Sequence, residues 1–242
     1  MRMTASIAAA KATTVAISRA LGDQRWSGYS SVMPESDYHI HAWEYDPTDP
    51  KSSASASWRE LQDVVTAILS GKHGEVKSLV IDGLHKLYDL GMRAEGWTAA
   101  SVDDEKSGRQ YTKYQDKFST FLSRVLGSGV PLVGATCYDG LEAVEPGSKI
   151  TQVFPLLPGR MAKDVMGMFP VVFHTELETG RYYWTLKAQG KMQAAGLHVP
   201  TKFIGMMPPR IEIVVDKKTG EIAGGWKEIE RVLGLLQGES GK

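Results

Sequence analysis

Apolar positions in the first 140 residues follow two patterns, one with helical spacing and one in short continuous runs. After Ser57, apolar residues recur every three or four positions, and Ser57 and Glu60 have the spacing of a capping box. The run VKSLVID (76–82) is apolar without alternation, which is typical of a strand buried on both faces. The patterns predict helices over 6–21, 57–70 and 111–126, and strands over 38–46, 76–82 and 130–137. This alternation favours a mostly parallel central sheet covered by helices.

The later part of the chain has the pattern of antiparallel hairpins. The stretches PVVFHTE and RYYWTLKA flank Thr179 and Gly180, which predicts a hairpin that turns at these two residues. A second hairpin is predicted in IEIVVDKKTGEIAGGW, with its turn at 217–220, and a short helix is predicted over 159–168. We therefore expect an antiparallel hairpin extension toward the C-terminus.

Length and composition indicate an ordinary globular protein. A chain of 242 residues is long enough for one sizeable α/β domain, and we expect a single domain over 1–242. Within it, 1–37 would contain the first helix, and 205–242 the last hairpin and a final amphipathic helix. The 28 basic residues balance the 28 acidic ones, so net charge points to no particular partner.

Cysteine content and hydropathy bear on the compartment. Cys137 is the only cysteine, so no disulfide can form within the chain, which favours a reducing compartment. No apolar stretch approaches the roughly 20 residues that cross a bilayer, so no membrane partner is expected. We expect the protein in the cytoplasm.

Polar residues follow the predicted strands, and the clearest case is Asp82 in SLVIDGLHKLYDLG (78–91). In open α/β sheets, ligands bind at the carboxyl ends of the strands. An aspartate after four apolar residues is the pattern of a Walker B strand, whose carboxylate holds Mg²⁺ beside nucleotide phosphates. Many buried strands also end in aspartate because a turn follows. Glu44 and the stretch 136–139 lie at the ends of two other predicted strands.

The run VKSLVIDGLHKLYDLG, the helix after it, VPLVGATCYDG and LPGRMAKDVMGMFPVVFHTE together resemble the core of RecA-like P-loop ATPases. They are most similar to phage AAA-type ATPases associated with single-strand annealing recombination, over residues 38–200. The resemblance implies a RecA-like three-layer sandwich that binds ATP and Mg²⁺. Asp82 matches the Walker B aspartate and metal ligand, and Glu44 matches the catalytic glutamate that activates water. Thr136 lies in the phosphate-sensing stretch 136–139, within which the resemblance does not select one residue.

The chain departs from that family at the phosphate site. The motif G-x-x-x-x-G-K-[ST], whose backbone N–H groups wrap the phosphates, does not occur in the sequence. The positional counterpart is AAAKATTVAISRAL (8–21), where Lys11, Thr13 and Thr14 resemble remnants of the phosphate-binding residues. In GKMQAAGLHVP (190–200), Lys191 stands where family members have a basic finger that reaches a neighbouring nucleotide. Either the P-loop has decayed or the chain begins inside a longer reading frame.

Two functions follow from this resemblance. The first is an ATPase-type phage protein of DNA recombination or replication, located in the host cytoplasm, with weak or absent ATP binding. The second is a non-catalytic scaffold that assembles with itself or with a recombination partner and contacts single-stranded DNA. The aromatic run Tyr182–Trp184 could stack on DNA bases, but alternate residues of a strand face opposite ways, which favours core packing instead. An unrelated α/β enzyme that uses the same strand ends is a third alternative.

Overall fold

The computed structural model describes residues 14–19, 38–43, 48–72, 74–96, 107–143, 151–187, 195–197, 205–215, 222–225 and 228–229. The chain divides into two compact units, Met1–Tyr138 and Asp139–Lys242. Each unit has its own sheets and its own buried residues. A single domain over 1–242 stays a prediction.

The first unit contains a parallel sheet of four short strands. These are β1 (Thr14–Arg19), β2 (Tyr38–Trp43), β3 (Ser78–Asp82) and β4 (Leu132–Ala135), in the order β2-β1-β3-β4. Every neighbouring pair is parallel, with Ser18 opposite Asp82 and Ile81 opposite Ala135. Because parallel strands point the same way, their carboxyl ends meet at one edge of the sheet. Asp82 ends its strand at that edge.

The first unit also contains three described helices. They are α1 (Pro50–Leu69), α2 (Leu84–Ala94) and α3 (Ser107–Leu126). Helix α1 begins seven residues earlier than the predicted start at Ser57. The reason is that Asp49 caps it, accepting a hydrogen bond from the Ser52 N–H, and Pro50 takes the first helical position, where its missing N–H costs nothing.

The core of the first unit is formed by one face of each helix and by β3. Its largest fully buried side chains come from all four elements: Leu61, Leu79, Ile81, Leu84, Leu87, Leu90, Phe118 and Leu122. Aromatic rings link the helices, since Phe118 packs edge-on against Tyr88 with centroids 5.0 Å apart and lies 6.4 Å from Trp58. Burial of these side chains drives the helices onto one another.

Burial along β3 alternates between its two faces. Leu79 and Ile81 are fully buried, whereas Ser78, Val80 and Asp82 are only partly buried. A strand covered by helices on both faces would be buried at every position. Within the described residues, β3 is therefore packed fully on one face, in contrast to the prediction of a strand buried on both.

The second unit is mainly antiparallel. Its elements are β5 (Asp139–Ala143), β6 (Thr151–Pro155), α4 (Met161–Met168), β7 (Val171–Val172), β8 (His174–Glu178), β9 (Arg181–Thr185), β10 (Gly196–Leu197), β11 (Arg210–Val215) and β12 (Ile222–Gly224). The largest sheet has the order β12-β11-β9-β8, and β5 with β6 and β7 with β10 form two-stranded sheets. Both predicted hairpins are present, as β8–β9 and β11–β12.

The two faces of the β8–β9–β11 sheet differ in character. On one face, Trp184 stacks on Phe173 with centroids 4.0 Å apart and packs against the buried cluster of Leu186, Met207, Ile211 and Ile229. The other face carries charged side chains joined by ion pairs. Alternation along each strand produces this division.

The predicted fold class, a RecA-like three-layer sandwich around one mostly parallel central sheet with an antiparallel extension, is wrong. The described strands belong to four separate sheets, none with more than four strands, so there is no large central sheet in this part of the chain. The two antiparallel hairpins share one four-stranded sheet in the second unit instead of extending the parallel sheet. The one-sided burial of β3 also differs from the packing of a middle layer.

The predicted helix over 6–21 is wrong where the structure describes it, because 14–19 form strand β1. The sequence TVAISR contains Thr, Val and Ile, which are enriched in strands, and β1 pairs with both β2 and β3. Two neighbouring strands supply backbone hydrogen bonds that the alanine-rich composition of 6–13 does not reveal.

Candidate functional site at the carboxyl edge of the parallel sheet

The candidate site lies where β3 and β4 end side by side. Asp82 is the last residue of β3, and Thr136 follows the last residue of β4. The Thr136 N–H donates to the Ile81 carbonyl at 2.8 Å, which extends the strand pairing by one residue. Two residues 54 positions apart are thus held next to each other.

The Thr136 hydroxyl joins Asp82 to the start of α2. It donates to Asp82 Oδ1 at 2.7 Å and accepts from the Gly83 N–H at 2.8 Å. A hydroxyl can donate one hydrogen bond and accept two, so a single side chain can make both contacts. Asp82 thereby has one carboxylate oxygen fixed in orientation.

Gly83 makes the turn from β3 into α2. Its φ is +86°, in the left-handed region that favours glycine. The next amide, that of Leu84, donates to the Thr136 carbonyl at 2.7 Å. The first amides of a helix have no partner within the helix, and here two consecutive N–H groups are satisfied by Thr136.

A ring pair lies beside this edge. The His85 imidazole stacks on Tyr138, with ring centroids 4.4 Å apart and an interplanar angle of 30°. The Tyr138 N–H also donates to His85 Nδ1 at 3.4 Å. His85 is buried, and Tyr138 is 53% exposed.

The structure brings together two of the predicted site residues, Asp82 and Thr136. Thr14 begins β1 opposite Ser78, at the amino edge of the sheet, four residues before the position opposite Asp82. At roughly 3.3 Å per residue, about 13 Å separate that position from the Asp82 row. The remaining predicted site residues, Lys11, Thr13, Glu44 and Lys191, lie outside the described residues.

The aromatic run Tyr182–Trp184 is divided between environments. Trp184 packs against the core of the second unit, Tyr183 lies under the Arg210 guanidinium at 3.9 Å, and Tyr182 is 50% exposed. A continuous base-stacking surface would need neighbouring rings on one face. The core-packing interpretation therefore fits Trp184, whereas Tyr182, which alternation places on the same face, is half exposed.

Mg²⁺ fits the Asp82 end of this site. In nucleotide sites Mg²⁺ is held by one or two carboxylates together with waters and phosphate oxygens, so a large ligand cluster is not required. Asp82 is a partly buried carboxylate at a strand end, with Thr136 orienting one oxygen. Over the described ranges, no group of three or more His, Cys, Asp or Glu side chains could hold a metal ion.

The phosphates of ATP fit this edge less well. A phosphate cradle needs several backbone N–H groups that point at the ligand. At the start of α2, the amides of Gly83 and Leu84 both donate to Thr136 and are therefore engaged. These two amides do not form a cradle, and the predicted phosphate residues Lys11 and Thr13 are outside the described part of the chain.

Comparison with known proteins finds no protein-family model that matches the chain and no curated protein that matches its sequence. No helix within the described residues combines the length and the apolar character needed to cross a bilayer.

The sequence indicated Asp82 but did not single out Thr136 or Gly83. Thr136 was one of four residues in the stretch 136–139, and only the pairing of β3 with β4 brings its hydroxyl to Asp82. The dipeptide Asp82-Gly83 was the available signal for the turn, since glycine after a strand often marks a left-handed conformation.

Proposed function

We propose that the carboxyl edge of the parallel sheet is the remnant of a magnesium–nucleotide site, in an ATPase-type phage protein of DNA recombination or replication. Asp82 would hold Mg²⁺ through water, and Glu44 would orient the attacking water. ATP binding would be weak. The DNA role comes from the resemblance of the Asp82 segment and its neighbours to phage recombination ATPases.

The observation that carries the proposal is the Asp82–Thr136 hydrogen bond at the ends of adjacent parallel strands. Ligands of open α/β sheets bind at this edge, and a carboxylate beside a hydroxyl is the oxygen-rich chemistry that Mg²⁺ prefers. The engaged amides of Gly83 and Leu84 support the weak-binding part of the proposal, because they leave the phosphates without these two donors.

Isothermal titration with ATP and Mg²⁺ tests the proposal. We expect a dissociation constant of about 1 mM or weaker, which corresponds to about 4 kcal/mol of binding free energy. Binding should require Mg²⁺ and be lost in Asp82→Asn, which keeps the size of the side chain but removes its charge. Asp63→Asn is the matched control, because Asp63 is an exposed carboxylate on α1.

Each other outcome of this titration counts against part of the proposal. A micromolar, Mg²⁺-dependent site abolished by Asp82→Asn would contradict the weak binding. Equal affinity in the two variants, or no detectable binding in the unmodified protein, would contradict the nucleotide site and favour the second function.

The second candidate function is a non-catalytic scaffold that assembles with itself or with a recombination partner. The observation that favours it is the set of hydrogen bonds that Thr136 makes to the Asp82 carboxylate and to the N–H groups of Gly83 and Leu84. These bonds join the strand ends to the start of α2, which is a structural role. Light scattering across a concentration series tests self-assembly. A monomer at every concentration, together with Mg²⁺-dependent ATP binding, would exclude the self-assembling scaffold.

A further inference from the structure

A second feature of the first unit is a groove between α1 and α3, with a volume of about 750 Å³. One wall is a stripe of α1 that includes Trp58 and Arg59, and the other is a stripe of α3 from Lys113 to Arg124. No residue of the groove belongs to the Asp82 edge. The groove is therefore a separate candidate binding surface.

Positive charge dominates the groove although the chain as a whole is neutral. Four cationic side chains line it, Arg59, Lys113, Lys117 and Arg124, against two acidic ones, Glu95 and Asp116. Glu95 is engaged by Lys117, at 2.8 Å between Nζ and Oε1. Local charge of this sign attracts anionic partners regardless of the net charge of the protein.

The α3 cations form a line along the groove. Lys113, Lys117 and Arg124 are spaced four and seven residues apart, so they lie on one face of the helix, separated by about 6 and 10 Å along its axis. Arg59 faces them from α1. Within the described residues, Arg59 and Lys113 make no ion pair, whereas Arg124 donates to Thr66 Oγ1 at 3.2 Å. An extended polyanion matches a line of this kind.

The α1 wall of the groove also presents an aromatic ring. Trp58 is only partly buried and lines the groove, and its ring is supported by Phe121, with centroids 5.0 Å apart. Basic grooves with supported aromatic rings bind single-stranded nucleic acid, because the cations follow the phosphates while bases stack on the rings. An acidic peptide would use the charges but not the ring face.

We propose that the groove between α1 and α3 binds single-stranded nucleic acid, with Arg59 and the α3 cations contacting phosphates and Trp58 stacking on a base. The binding does not depend on the Asp82 edge or on a nucleotide cofactor.

The test is fluorescence anisotropy with a labelled oligothymidine of about 20 nucleotides, titrated at several salt concentrations. In Arg59→Gln/Lys113→Gln we expect affinity to fall about tenfold or more. The slope of log K against log salt should become shallower by about 1.4, since each phosphate contact on a single strand contributes about 0.7. Lys72→Gln/Lys77→Gln is the matched control, because it removes the same charge from exposed positions outside the groove.

The contribution of stacking is tested with Trp58→Phe, which keeps a ring against Phe121. We expect a loss of a few fold in affinity with the salt slope unchanged, because no charge is removed. Circular dichroism of each variant verifies folding. Asp82→Asn should bind the oligonucleotide like the unmodified protein, which separates this proposal from the magnesium–nucleotide site.

Three results would overturn the proposal. One is an equal loss of affinity in the groove variant and in the Lys72/Lys77 control, which would indicate non-specific charge attraction. Another is tighter binding of a polyglutamate peptide than of oligothymidine, which would indicate an acidic protein partner. The third is the absence of oligonucleotide binding at low salt in the folded, unmodified protein.

Discussion

In the first unit, a parallel sheet packs against helices whose inner faces are almost wholly apolar, whereas the main sheet of the second unit has an apolar face and a charged face. Aromatic and leucine side chains from α1, α2 and α3 bury Phe118 completely. In the second unit the described core around Leu186 and Met207 is smaller, and ion pairs cover the opposite face of the sheet.

The polar groups of the two units are distributed differently as well. In the first unit, Thr136 concentrates several hydrogen bonds at one edge of the sheet. In the second unit, Arg210 contacts both Glu176 and Glu178 and lies over Tyr183, all on an open face. The hydrogen bond to Glu178 raises the pKa of the Arg210 guanidinium above its ordinary value. Thr136 and Arg210 are both exposed, but Thr136 joins β3 to the start of α2, whereas Arg210 joins side chains that lie on one face of a sheet.

The largest expected effect is in the helical core. Phe118→Ala should lower the free energy of unfolding by about 3–5 kcal/mol, since it removes a fully buried ring that contacts Tyr88 and Trp58. Phe154→Ala in the second unit, where the ring is 9% exposed, should cost less. Urea denaturation followed by circular dichroism compares the two. Equal losses of unfolding free energy in the two variants would contradict the expectation that the core of the first unit contributes more to stability.

The next largest loss of stability is expected at Gly91, which lies in close contact with Tyr114. A methyl group at Gly91 would collide with the Tyr114 hydroxyl, which donates to the Tyr88 carbonyl at 2.7 Å in the buried interface of α2 and α3. Gly91→Ala should therefore destabilise by about 1–3 kcal/mol, although alanine is the better helix former. Tyr114→Phe in the same background should recover part of the loss. Additive losses in the double variant would contradict the collision.

Thr136→Val tests the concentrated polar contacts. Valine has the shape of threonine without its hydroxyl, so Asp82 and the Gly83 N–H each lose a hydrogen bond, and we expect a loss of about 1–2 kcal/mol in thermal or urea unfolding. Thr120→Val is the control, because among the described residues its exposed hydroxyl bonds only the Asp116 carbonyl within α3. A similar loss of unfolding free energy in both variants would show that the hydrogen bonds of Thr136 stabilise the fold no more than one exposed hydrogen bond within a helix.

A gain in stability is expected at the β8–β9 turn. Thr179 has a φ of +49° and Gly180 of +79°, which is the conformation of a two-residue type I′ turn. A β-branched residue is strained there, whereas asparagine tolerates the left-handed region. Thr179→Asn should raise the free energy of unfolding by about 0.5–1 kcal/mol, measured by thermal unfolding. Thr175→Asn, within the strand, should bring no gain; a gain there too would rule out the turn as the cause.

The smallest effect is expected on the charged face. Arg181 pairs with Glu212 at 3.3 Å, but the arginine side chain is 65% exposed. Arg181→Gln should change the free energy of unfolding by less than about 0.5 kcal/mol, and added salt should reduce even that difference. A loss of more than about 1 kcal/mol would show that the ion pairs of the second unit act as a cooperative network.

Local signals were enough to predict some of the fold. The apolar run ending at Asp82 predicted β3, and the pair Thr179-Gly180 predicted the β8–β9 hairpin at its observed turn. Both depend on side chains that are neighbours in sequence. The start of α1 was predicted at Ser57 because Ser57 and Glu60 have the spacing of a capping box. The observed helix begins earlier, because Asp49 caps it and Pro50 takes its first position.

Non-local pairing explains most of what the sequence did not reveal. Strand β1 depends on hydrogen bonds to β2 and β3, and the composition of 6–21 does not indicate that these strands pair with it. The division into four sheets likewise depends on which strands pair, which strand patterns alone do not determine. At the candidate site, the carboxylate was predictable from its strand, whereas the choice of Thr136 required the β3–β4 register.

The bonds that Thr136 makes to the start of α2 have a practical consequence. Because the Gly83 N–H donates to the hydroxyl and the Leu84 N–H to the carbonyl of the same residue, both protons are shielded from exchange with solvent deuterium while the β3–β4 edge is closed. A cation that drew Asp82 away from Thr136 would change the exchange rates of these two amides first. They are natural reporters of events at Asp82, readable by hydrogen–deuterium exchange with mass spectrometry or NMR.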